Sequence, residues 1–202
     1  MNSQIIIKNL IESVDYIATS SRRDVLISSM SALEKSGIHC ANCPGTCCTS
    51  TSNSMMITPL EALEILNSLM PKLLIPEEKE KLISALKNAI SQFRLDKEIY
   101  TGKKNSQTLR RHYTCPFFNN GSLGCGLSRK SKPYGCLAFN PKIHDDNGKT
   151  CSSQTELLET RQAEFQNFEN QLNLKIKTEL KINWEKQNIP MAVLEMIAHF
   201  YT

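Results

Sequence analysis

The sequence predicts a mostly α-helical fold, one helical domain holding two cysteine-rich, irregular loops. Three observations predict it. Apolar residues recur at spacings of three and four along most of the 202 residues. Helix-starting signals, above all Thr58-Pro59-Leu60-Glu61, stand where such patterns begin. The eight cysteines fall instead in stretches rich in Gly, Pro, Ser, Thr and Asn, which is loop chemistry. The single domain, 1–202, divides into N-terminal helices at 1–38, a cysteine-cluster region at 39–151 and C-terminal helices at 152–202.

Over 1–38 the apolar positions Ile7, Leu10, Ile11, Val14 and Ile17, then Val25, Ile27, Met30 and Leu33, suit one or two amphipathic helices, and Gly37 suits their C-terminal cap. Thr58-Pro59-Leu60-Glu61 fits a capping box with proline at the first helical position, so a helix should run to about Met70. Pro76-Glu77-Glu78 opens a second helix carrying Leu82, Leu86, Ala89, Ile90, Phe93 and Tyr100 on one side, ended by Gly102. From Cys115 to Cys151 the density of Gly and Pro argues against long regular elements. Gln154 to Trp184 has neither residue and reads as a long helix with a buried stripe of Leu157, Leu158, Phe165, Phe168, Leu172, Ile176 and Leu180. Pro190 then opens a short helix ending near Phe200.

Composition narrows the function classes. The 24 basic and 20 acidic residues leave a net charge of +4, far from the basic footprint of a dedicated nucleic-acid binder. No stretch approaches the roughly 18 apolar residues of a membrane span. The start, Met1 to Lys8, holds three isoleucines interrupted at once by Lys8, which is not a secretory pattern. The expected compartment is therefore the cytoplasm, where closely spaced cysteines bind metal more often than they form disulfides. A chain of this length buries about 70% of its unfolded surface, so it does not need cysteine staples to fold.

The first thiol cluster is Cys40, Cys43, Cys47 and Cys48, four within nine residues. The second is spread over Cys115, Cys125, Cys136 and Cys151. A C-x2-C pair lets two sulfurs converge on one ion from a tight turn, and Pro44-Gly45 supplies turn chemistry beside it. Thiol donors select a soft ion, zinc or iron, the iron as an ion or as an iron–sulfur cluster. The 66 residues between Cys48 and Cys115 can fold back to join the loops, because closure entropy grows slowly with length. All eight cysteines are candidate ligands, with Cys151 the most isolated. Adjacent Cys47 and Cys48 rarely reach one ion comfortably, so one of them could pack, bridge to a second metal or carry redox chemistry.

Cys40, Cys43, Cys47 and Cys48, then Met56-Ile57-Thr58-Pro59-Leu60-Glu61, then Cys115-Pro116-Phe117-Phe118, then Cys125, Lys132-Pro133 and Cys136 occur in that order. In these segments the chain resembles the bacterial CxxCxxCC (YkgJ-type) cysteine-cluster family of zinc- or iron-chelating domains. The likeness covers roughly residues 38–142 and implies metal chelation without implying a settled activity. Three residues rather than two separate Cys43 from Cys47, Lys132 and Leu137 stand where arginines are usual, and the Tyr expected after Cys125 is missing. A similar cluster in flagellin lysine methylases makes an iron–sulfur protein with a redox or protein-modifying role the alternative.

Other residues read more plainly. His112 and His144 are candidates to replace a missing thiol with imidazole, but His39, His112 and His144 are better taken as ordinary polar residues, and His199 as structural. Lys103-Lys104, Arg110-Arg111 and Arg129-Lys130-Ser131-Lys132 read as solvated loop charge, so nucleic acid is not expected as a partner. Phe117 and Phe118 suit a lid over the metal site, and Asp145-Asp146-Asn147-Gly148 a turn. No catalytic motif appears, so a binding protein is preferred over an enzyme. The expected partners are a metal ion and, if zinc is only structural, a protein gripped by the long helix.

Overall fold

In the computed structural model the described residues are Asn9, 22–37, 46–97, 110–119, 124–141 and 151–201. They form six helices: α1 (Asp24–Lys35), α2 (Pro59–Leu73), α3 (Pro76–Phe93), α4 (Tyr134–Ala138), α5 (Thr155–Leu180) and α6 (Ile189–Tyr201). Short antiparallel pairs fasten the ends: β1 (Met56–Ile57) with β6 (Gln187–Asn188), β2 (Phe118–Asn119) with β3 (Gly124–Cys125), and β4 (Phe139–Pro141) with β5 (Cys151–Ser153). The mostly helical fold is thus the one the periodicity predicts. The expected helix over Ile7–Ile17, Tyr100 with Gly102, and the Asp145–Gly148 turn lie outside the described residues.

Helix α2 sits at the centre because it is apolar nearly all round. Leu60, Ala62, Leu63 and Ile65 have no exposed surface, and α3, α5 and α6 pack against it. Its start is the capping box: the Thr58 hydroxyl accepts the Glu61 amide at 3.3 Å, and the Glu61 carboxylate accepts the Thr58 amide at 2.9 Å. The helix runs past Met70 to Leu73, taking Pro71 into its last turn.

Two helix ends depart from expectation for one reason. Helix α3 stops at Phe93, well short of Gly102, and α5 stops at Leu180, short of Trp184. Arg94 and Lys181 take the left-handed conformation, at φ 52° and 54°. The following Leu95 and Ile182 amides reach back to Ile90 and Lys177 carbonyls, each at 2.9 Å, and both side chains are buried. This is the Schellman closure, driven here by the apolar residue beyond the end rather than by glycine. Gly37, at φ 86° after α1, is the cap its sequence suggests. On α1 itself Leu26, Met30 and Leu33 are buried while Val25 is exposed, a rotation of the expected face.

The stripe expected on α5 holds only in its second half, where Ile176 and Leu180 are buried. Phe168 is exposed, and the buried side chain nearer the N-terminus is Arg161. It belongs to an ionic cluster joining four helices. Glu64 of α2 pairs with Arg22 and with Arg23, the latter at 2.5 Å. Glu169 of α5 pairs with Arg161 and with Arg22 at 3.1 Å, and accepts from the Tyr134 hydroxyl at 2.6 Å. Tyr134, opening α4, lies under the Arg161 and Arg23 guanidinium groups at 3.4 and 4.4 Å from its ring centre. Burial alone would discourage ionisation of Glu169, but Arg161, Tyr134 and Arg22 together hold the carboxyl below its ordinary range.

Buried charges persist only when paired, and removing one partner leaves the other stranded. Glu64→Ala leaves Arg22 and Arg23 buried without their shared carboxylate. The expected loss is about 3–5 kcal/mol of folding stability, read by urea denaturation. An unchanged midpoint would contradict the cluster's structural role.

Candidate metal centre

Local hydrogen bonds bring the two cysteine loops together. Thr46–Cys48 is one turn of 3₁₀ helix, and the Cys48 carbonyl accepts the Cys115 amide at 2.7 Å. Asn53 and Tyr113 then bond twice, Tyr113 amide to Asn53 carbonyl and Asn53 side-chain amide to Tyr113 carbonyl, both at 2.9 Å. Tyr113 is wholly buried, its hydroxyl donating to the Met55 carbonyl at 2.7 Å and accepting the Ile189 amide at 3.2 Å. A buried tyrosine needs such partners for its hydroxyl. Here they fix residues 48–53 and 113–115 to the bases of α2 and α6.

The second loop follows from its turn chemistry. Cys115-Pro116-Phe117-Phe118 closes with the Phe118 amide on the Cys115 carbonyl at 2.9 Å, proline standing at the second position. The β2–β3 register sets Phe118 opposite Cys125, and Gly124 supplies the positive φ of 61°. Cys136 rides on α4, whose first amide, Tyr134, is held by the Glu61 carboxylate at 3.0 Å. Gly135 permits the close approach: a Cβ there would lie 2.7 Å from the terminal carbon of Met55.

The result is a cavity of about 350 Å³ lined by Cys47, Cys48, Cys125 and Cys136, with Lys132 and Arg110 also on its wall. Cys115 lies buried within electrostatic reach of Cys125, Cys47 and Lys132. Four of the eight candidate cysteines therefore line one cavity, with Cys115 buried near them. Cys40 and Cys43 lie outside the described residues. Cys151 pairs with Pro141 in β5 and is not on the cavity wall, although Ser153 is.

Other expectations change. Phe117 is buried in the core and Phe118 packs against it, and neither lines the cavity; Met55 and Phe139 supply its apolar wall. His112 and His199 are exposed, and His39 and His144 lie outside the described residues. Lys132, read from the sequence as solvated, is 9% exposed and lies near Cys47, Cys115 and Cys136. Nothing in its local sequence separates it from exposed Lys130 except its place before Pro133 in the motif.

Burial acts on the thiols unequally. Burial raises Cys115 to about 12 and Cys136 well above its ordinary value. Cys47 and Cys48 are the exception as a pair. Their sulfurs are 3.9 Å apart, and the hydrogen bond from Cys48 lowers Cys47 to about 6, against burial and with help from Lys132, while Cys48 rises. Cys47, Cys48, Cys115, Cys125 and Cys136 are not in disulfides. Among the described residues, no group of three or more Cys, His, Asp or Glu is arranged to hold a metal ion as it stands. No helix among them is long and apolar enough to cross a membrane. Comparison with protein-family models, curated proteins and solved structures finds no match to the chain.

The thiolate is the nucleophile, so reactivity should follow this order. In the reduced, metal-free chain iodoacetamide should modify Cys47 before Cys115 or Cys136. Its rate should fall as pH drops through about 6, because Cys47 then regains its proton. Peptide mass spectrometry reads both; earlier labelling of Cys115 or Cys136 would contradict the assignment.

Proposed function

We propose that the chain is a cytoplasmic metal-binding protein that holds zinc or iron through its cysteine cluster. The observation that carries this reading is the gathering of Cys47, Cys48, Cys125 and Cys136, from three separated segments, around one cavity, with Cys115 buried close by. Donor chemistry fits: several soft sulfurs with no carboxylate on the described wall favour zinc, iron or an iron–sulfur cluster over a hard cation. Cys47, Cys48, Cys115, Cys125 and Cys136 would supply ligands, joined by Cys40 and Cys43 from the same loop as Cys47. The likeness of these segments to the CxxCxxCC family supports the same reading. A bound ion would replace thiol protons and draw the sulfurs to itself, so metal and proton compete for the site.

A second reading follows from the choice of metal. An iron–sulfur cluster would favour a redox or protein-modifying role; a closed zinc site would favour an interaction module.

Elemental analysis and an absorption spectrum of the full chain, purified without oxygen, test the proposal. The expected result is about one equivalent or more of zinc or iron per chain, and loss of that metal in Cys125→Ser/Cys136→Ser with helical circular dichroism kept. Wild-type protein without metal, or a double variant that keeps it all, would defeat the proposal.

A further inference from the structure

Cys47 and Cys48 are neighbours in the chain, and their sulfurs lie 3.9 Å apart in a hydrogen-bonded contact. Both belong to the 3₁₀ turn Thr46–Cys48, both are half-buried, and both line the cavity of about 350 Å³. A single ion does not account for this doublet, because neighbouring side chains reach one ion awkwardly. A small molecule entering the cavity meets two thiols in contact.

We propose that Cys47 and Cys48 form a reversible dithiol–disulfide pair that reduces a peroxide. One sulfur attacks a peroxide oxygen and the O–O bond breaks. The outer oxygen leaves with the thiol proton, as water or an alcohol, and a sulfenic acid remains. The neighbouring sulfur then attacks the sulfenic sulfur: the S–O bond breaks, an S–S bond forms, and the hydroxyl leaves as water with the second thiol proton. Two thiols thus pass two electrons to one peroxide. Because the sulfurs already touch, the resolving thiol stands where the sulfenic acid forms.

Adjacency makes the bond reversible. The peptide between the two residues is trans, which sets their Cα atoms about 3.8 Å apart. That is less than the roughly 4.4–6.8 Å usual for a disulfide, so the small ring is strained and easily reduced. It closes almost no loop, so it adds little as a staple. A strained disulfide forms poorly at the expense of an ordinary one, which favours a peroxide as the oxidant. The inference goes beyond metal chelation: disulfide sulfurs offer no thiolate, so oxidation and metal binding exclude each other at this pair.

The test treats the reduced full chain, stripped of metal and checked for helical circular dichroism, with hydrogen peroxide. Remaining thiols are capped with N-ethylmaleimide, oxidised ones are then reduced and capped with its deuterated form, and fragment mass spectrometry locates the heavy label. The label should fall on Cys47 and Cys48 together, with about one peroxide consumed per pair. Reduced glutathione should restore both thiols. Cys47→Ser/Cys48→Ser should lose that peroxide consumption. No label on the pair, a label on one of them with any other cysteine, a bond that glutathione leaves intact, or undiminished consumption by the double variant would overturn the inference. A chain that takes up no metal yet forms this bond defeats the metal reading alone. A chain that binds metal, but whose stripped form keeps both thiols under peroxide, defeats this inference alone.

Discussion

The Glu61 carboxylate does two jobs with one buried charge. One oxygen accepts the Thr58 amide and starts the central helix α2; the other accepts the Tyr134 amide and starts α4, which carries Cys136. Burial raises its proton affinity, and the two backbone hydrogen bonds and Arg23 oppose that rise. A carboxylate buried in this way is tolerated only with its donors in place. The segment before α2 and the segment before Cys136 are therefore held together by one side chain, and the second thiol loop takes its position from the first turn of the core helix.

The ionic cluster around Tyr134 completes that attachment. Glu64 is one turn on from Glu61 and faces Arg22 and Arg23, while the Arg23 guanidinium also donates to the Lys132 carbonyl at 3.0 Å. The same residue whose side chain enters the thiol cavity is thus tied by its backbone to α1. Such clusters are poor sources of net stability, since desolvation offsets most of their attraction. What they supply is geometry, because each charge accepts few positions for its partner. Four helices converge here, one of them bearing a thiol, which is where fixed geometry would serve the proposed metal site.

The sequence makes the local part of this legible. Thr58-Pro59-Leu60-Glu61, Gly37 and Pro190 each mark a helix end through a chemistry confined to neighbouring residues, and all three stand where expected. Arg94 and Lys181 end helices without glycine, through contacts made by Leu95 and Ile182 elsewhere in the core, so periodicity reads past them. Arg161 lies inside a helix of weak amphipathicity, and only Glu169, Arg22 and Tyr134 together make its burial intelligible. One signal could have found the cluster: the first two turns of α2 are apolar apart from Glu61 and Glu64, so both carboxylates must be inside and require buried partners. The gathering of Cys47, Cys48, Cys125 and Cys136 on one cavity was legible as a pattern. The entry of Lys132 into their cavity was not, because it depends on how α4 docks.

The central claim is that sulfurs from both loops surround one metal. X-ray absorption at the edge of the bound metal, on protein purified without oxygen, tests it most directly. A shell of sulfur at about 2.3 Å, the zinc–thiolate distance, reduced in number by Cys136→Ser as well as by Cys47→Ser, is the expected result. A shell dominated by nitrogen or oxygen at about 2.0–2.2 Å, or a sulfur number indifferent to one of the two loops, would contradict it.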